Sequence, residues 1–145
     1  MHEGDPVTSE TLRMEWEAIL SIFSADGMPR PIRTLIRHMI SRGYDQIFVP
    51  GSSLFTLLVS VPISNKVNYS YTLRVDYDER IQIMRFKFLE RVPDLKQEHS
   101  DGARPTRWEE TCQASEGTII LEDFLNSGNI FNEAIIQHMR RLQAR

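Results

Sequence analysis

The sequence predicts an α+β fold in one domain: a mostly antiparallel five-strand sheet, made of a three-strand meander and a hairpin, packed by two N-terminal helices and one C-terminal helix. Three observations predict it. Residues 54–89 alternate apolar and polar side chains with the period of two that a half-buried strand requires. The stretches before and after carry apolar residues at helical spacing. A chain of 145 residues with 41% hydrophobic and 26% charged side chains fits a single globular domain with its own core.

Residues 1–7 are polar and acidic and read as a loose arm. Thr8 or Ser9 can cap a first helix, whose opening turn carries Glu10. Leu12, Trp16, Ile19 and Phe23 give it one apolar stripe, and Asp26-Gly27 ends it. A second helix is expected over 31–42. Pro31 suits its start, Ile32, Leu35, Ile36, Met39 and Ile40 cover one face, and Gly43 stops it.

Pro50-Gly51-Ser52-Ser53 reads as a turn, with a first strand after it over 54–63. In that strand Phe55, Leu57, Val59, Val61 and Ile63 share a face. A second strand spans 69–77 and a third begins near Ile81. A three-residue loop, Asp78-Glu79-Arg80, pairs Tyr77 with Ile81 and Val75 with Ile83. The apolar phase then shifts to Met84, Phe86 and Phe88, which calls for a β-bulge near Ile83-Met84.

Residues 93–107 form a polar loop, read as mobile. A hairpin is expected next, with Trp108, Cys112 and Ala114 alternating, Ser115-Glu116-Gly117 turning, and 118–124 returning. It would set Trp108 opposite Phe124, Cys112 opposite Ile120 and Glu110 opposite Glu122, the last a like-charge pair that sheets avoid. Asn126-Ser127-Gly128-Asn129 caps a last helix over 130–143, whose apolar face is Phe131, Ala134, Ile135, Met139 and Leu142.

The net charge of −3 argues against a generally basic nucleic-acid binder. One cysteine forms no internal disulfide, so no oxidising compartment is required. The start of the chain lacks the basic and apolar runs of a signal peptide, and no segment reaches the length of a membrane span. A cytoplasmic protein with no membrane association is the expectation.

No catalytic residue, metal ligand or cofactor is assigned. No histidine pair has metal-binding spacing, and phosphate loops, nucleophile elbows and paired C-x-x-C motifs are absent from the sequence. A scattered enzyme site would draw on Glu110, Glu122, Cys112 and His138, with a carboxylate pair or an activated thiol as the reacting group. The plainer reading makes Cys112 a small buried hydrophobe and His138 a locally satisfied helix residue. Arg30, Arg33 and Arg37, with Arg140 and Arg141, would form a cationic patch for phosphate or nucleic acid if their helices were neighbours. Otherwise they are solvated helix faces. Tyr69, Tyr71, Tyr77, Phe86 and Phe88 give one sheet face the composition of a protein interface, against the alternative that they are core.

The run Gly117-Thr118-Ile119-Ile120-Leu121, followed by Ser127-Gly128-Asn129 and a helix ending Met139-Arg140-Arg141-Leu142, resembles the closing strand, turn and helix of the fold shared by type III secretion chaperones and the YbjN-like family. The likeness covers residues 31–142 as an order of elements. The helix that this family often uses to dimerise has no matching apolar stripe in 93–107, and the helix with Trp16 is additional. The resemblance implies a non-catalytic chaperone, adaptor or regulatory protein that binds a protein segment, with a homodimer as one of its forms. It carries over no functional residue.

Overall fold

Five antiparallel strands pair in chain order, β1 (Val49–Ser53), β2 (Thr56–Ser60), β3 (Tyr71–Asp78), β4 (Ile83–Glu90) and β5 (Thr106–Gln113). Helices α1 (Ser9–Phe23) and α2 (Arg30–Ser41) precede them, and α3 (Gly117–Leu125) and α4 (Ile130–Gln143) follow. The computed structural model describes residues 1–91 and 106–144. The α+β class and the five-strand antiparallel sheet are as the sequence predicts, but the sheet is one continuous meander and there are two C-terminal helices.

Local chemistry sets the helix ends. Thr8 and Thr11 cap α1 reciprocally: each backbone N–H donates to the other's hydroxyl, at 2.9 and 3.1 Å. Pro31 sits in the first turn of α2, and Gly43, at φ 81°, ends the run into a short 3-10 turn, Tyr44–Gln46. Asn129 caps α4 by accepting from the Asn132 N–H at 3.1 Å.

One sheet face is the core. Leu57, Val59, Leu73, Val75, Met84 and Phe86 are buried there under Ile32, Leu35, Ile36 and Met39 of α2 and Leu121, Phe124 and Leu125 of α3. Trp16 of α1 is buried and donates its indole N–H to the Phe48 carbonyl at 2.9 Å, fixing α1 to the chain entering β1. Rings hold the C-terminal helices: Trp108 stacks on Phe124 at 4.7 Å, and Phe131 lies 5.1 Å from Phe124, 5.5 Å from Phe88 and 5.4 Å from Phe48. Such pairs contribute about 0.5–1.5 kcal/mol each beyond area burial.

Several sequence-based expectations are corrected. Pro50-Gly51-Ser52-Ser53 is not a turn but β1 itself, an edge strand that tolerates proline. The reversal comes at Leu54-Phe55, inside the expected first strand, with Ser53 opposite Thr56. The β3–β4 loop has four residues, 79–82, so Tyr77 faces Met84, Val75 faces Phe86 and Leu73 faces Phe88 without a bulge near Ile83. Ile81 belongs to the loop and Ile83 to the opposite sheet face, which removes the apparent phase shift. The irregularity is instead at Phe88/Leu89, where β5 contributes Arg107 as an extra residue.

Residues 117–125 form helix α3 rather than a returning strand, because Leu121, Phe124 and Leu125 then share one buried face. Trp108 and Phe124 do meet, but across a strand–helix boundary. The stretch that carries the family resemblance is therefore helix, turn and helix. The N-terminal arm is paired as well: Gly4 N–H donates to Val67 O, and Val67 N–H to Asp5 O, both at 2.8 Å. Residues 93–105 of the expected mobile loop lie outside the described residues, while Thr106 and Arg107 are in β5.

Candidate interaction surface

The structure disperses the residues that sequence reading offered as an enzyme site. Glu110 is exposed on β5 and no longer faces Glu122, which is on α3. Cys112 is buried, and burial, with the Glu116 and Glu110 carboxylates adding to it, pushes its thiol pKa up. A thiol held neutral is a poor nucleophile. His138 lines a different cleft, with Val7, Thr8, Gln46 and Arg141. Among the described residues no group of three or more His, Cys, Asp or Glu side chains is arranged to hold a metal ion, and no helix is long and apolar enough to cross a membrane.

Arg141 lines that same cleft, while Arg30, Arg33 and Arg37 do not. Arg30, Arg33 and Arg37 belong to α2, and Arg140 and Arg141 to the last turn of α4. The aromatic face is also accounted for. Phe86 is fully buried, Phe88 packs edge-to-face on Phe124 and Phe131, and Tyr71 and Tyr77 are half-buried against the same core. Tyr69 precedes β3 and donates its hydroxyl to the Met1 carbonyl at 2.8 Å. Tyr71, Tyr77, Phe86 and Phe88 thus belong to or pack on the main core, and Tyr69 packs on a smaller cluster of Leu12, Val49 and Val67.

Glu122 has a role that sequence spacing did not expose. Its carboxylate accepts the Tyr44 hydroxyl at 2.6 Å and Arg42 Nε at 2.9 Å. His38 Nε2, whose atom is buried, lies 3.4 Å away without a hydrogen bond among the described residues. Tyr44 is buried, and burial, followed by the Glu122 contact, raises its phenol pKa. A carboxylate already engaged by the end of α2 and the turn after it is a clamp between α2 and α3, not an idle base. The 80 residues separating Arg42 from Glu122 conceal this pairing from sequence patterns.

The exposed apolar side chains point to another place. Leu54 is 86% exposed and Phe55 59%, together making the two-residue turn between β1 and β2. Leu54 has φ 54°, a positive value of the kind a two-residue hairpin turn needs at its first position and that glycine normally supplies. In an antiparallel meander the β1–β2 and β3–β4 turns leave from the same end of the sheet. Ile81, 62% exposed, is in the second of these turns, and Gln82 beside it has φ 56°. Two interstrand spacings, about 10 Å, separate the turns.

The same pole has a polar frame. Thr56 donates its hydroxyl to Asp76, which also accepts from Arg74 Nε at 3.0 Å. Asp78 accepts from the Arg80 N–H at 3.0 Å, and backbone N–H groups of the loop hold its carboxyl below the usual carboxylate range. Arg80 reaches back to Asp78 at 3.6 Å, while Glu79 has no ion pair among the described residues. A shallow recess of about 380 Å³ lies beside Ile81, bounded by Tyr77, Gln82, Ile83, Gln113, Ala114 and Ser115. The end of β4 at Glu90 and the start of β5 at Thr106 lie at the opposite end of the sheet.

The chain matches no protein-family model, and neither a curated protein nor a solved structure is similar to it.

Proposed function

We propose that this protein is a non-enzymatic protein-interaction module of the cytoplasm, acting as a chaperone, adaptor or regulatory partner, and that the Leu54, Phe55 and Ile81 pole is what it offers to its partner. The observation that carries the reading is the Leu54-Phe55 turn. Two large apolar side chains stand in solvent where a glycine would serve the backbone better. Stability alone does not explain them. Strained, exposed positions of this kind concentrate at binding sites.

The partner is a protein with an apolar pocket edged by basic side chains. In the same loop as Ile81, Arg80 is paired with Asp78 and leaves Glu79 as the acid without an ion pair among the described residues, which complements such an edge and opposes an anionic lipid surface. Burying the three side chains supplies roughly 5 kcal/mol before the costs of association, the scale of a reversible contact. The single buried cysteine fits a reducing compartment.

The test compares native-lysate capture by the full chain with capture by the Leu54→Ser/Phe55→Ser variant, alongside sedimentation with phosphatidylserine vesicles. A protein retained by the parent chain, lost from the variant and released by Glu79→Lys supports the proposal. Capture that ignores all three substitutions, or sedimentation with vesicles, overturns it.

A further inference from the structure

We infer that a second copy of this chain docks on the outer face of α4, antiparallel, about a two-fold axis between Ile136 and Gln137. This surface is separate from the hairpin pole. Helix α4 is 14 residues long, yet Phe131 in its first turn is its only fully buried residue. Its inward line runs through Phe131, Ala134, Ile135 and His138. Its outward line, at spacings of three and four, runs through Glu133, Ile136 and Arg140. Ile136 is 42% exposed, and Met139 beside it is 51% exposed.

The outward line is self-complementary in one orientation only. Antiparallel pairing about that axis sets Glu133 against Arg140 of the second copy and Arg140 against its Glu133, with the two Ile136 side chains adjoining at the centre. Parallel pairing sets Glu133 on Glu133 and Arg140 on Arg140, which repels at both ends. Among the described residues neither Glu133 nor Arg140 has an ion pair within its own chain. A two-fold contact of this kind is closed and ends at the dimer. Two faces about 21 Å long bury less than a standard interface, so the dimer is weak, in the micromolar range or above.

Sedimentation velocity on the full chain across a micromolar concentration series tests the inference. The parent chain should pass from monomer to dimer. Glu133→Arg alone and Arg140→Glu alone should each weaken association about tenfold or more, since each places like charges opposite at both ends. Mixing these two variants restores complementary pairs at both ends and should return the dimer as a heterodimer. Ile136→Asp should remain monomeric, with far-UV circular dichroism unchanged. A parent chain that stays monomeric, a dimer indifferent to the single charge reversals, or a mixture that associates no better than its components overturns the inference.

Discussion

Leu54 holds a left-handed backbone conformation that costs a non-glycine residue about 1–2 kcal/mol, and its side chain recovers nothing by burial. Leu54→Gly should therefore raise stability, by about 0.5–1 kcal/mol after the added flexibility of the unfolded chain is subtracted. A urea melt reads this directly; a loss of stability would show that the leucine contributes to the fold. Tyr44 is the opposite case. Its hydroxyl serves the Glu122 carboxylate, so Tyr44→Phe should cost about 1–2 kcal/mol in the same melt. Cys112 is shielded by burial and neighbouring carboxylates, so an aromatic disulfide reagent at mildly alkaline pH should modify it far more slowly than it modifies the urea-unfolded chain.

At the scale of elements, α4 hangs on its first turn. The Asn129 cap and the Phe131 ring, set among Phe48, Phe88 and Phe124, are its firm attachments. Phe131→Ala should cost about 3–5 kcal/mol and loosen the whole helix, and Asn129→Ala about 1 kcal/mol. Amide hydrogen exchange should show the second half of α4 opening first in the parent chain, because its backbone has little apolar cover. The contrast with α2 is instructive. There Ile32, Leu35, Ile36 and Met39 are all buried, and the Glu122 clamp fixes the end of the helix to α3.

For the whole molecule, burial raises the proton affinity of Tyr44, Tyr69 and Cys112, with carboxylates adding to the effect in each case. Each group then holds its proton more tightly folded than unfolded. Their contribution is complete below the ordinary thiol and phenol values, about pH 8.5 to 10, and is lost as pH rises through the higher folded values. The melting temperature should fall through that range, and Tyr44→Phe should show a shallower fall. The layout has a matching logic: α2 and α3 cover one face, α1 lies by the β1 edge, and the meander places two of its turns at one pole.

Periodicity alone determined the helices α1, α2 and α4, the inward set of Leu73 and Val75, and the α+β class, since those signals are local and repeat along the chain. The tertiary structure decided what local signals leave open. Thr118-Ile119-Ile120 favours a strand by its β-branched side chains, yet it is helical because Leu121, Phe124 and Leu125 together meet the aromatic cluster. Leu54-Phe55 has no turn residue to announce it, so the β1–β2 reversal was hidden inside an apolar alternation. The placement of Glu122 beside Arg42 and Tyr44, and of Ile81 at the same pole as Leu54, depends on chain segments brought together from far apart. Only the packed sheet and helices bring them there.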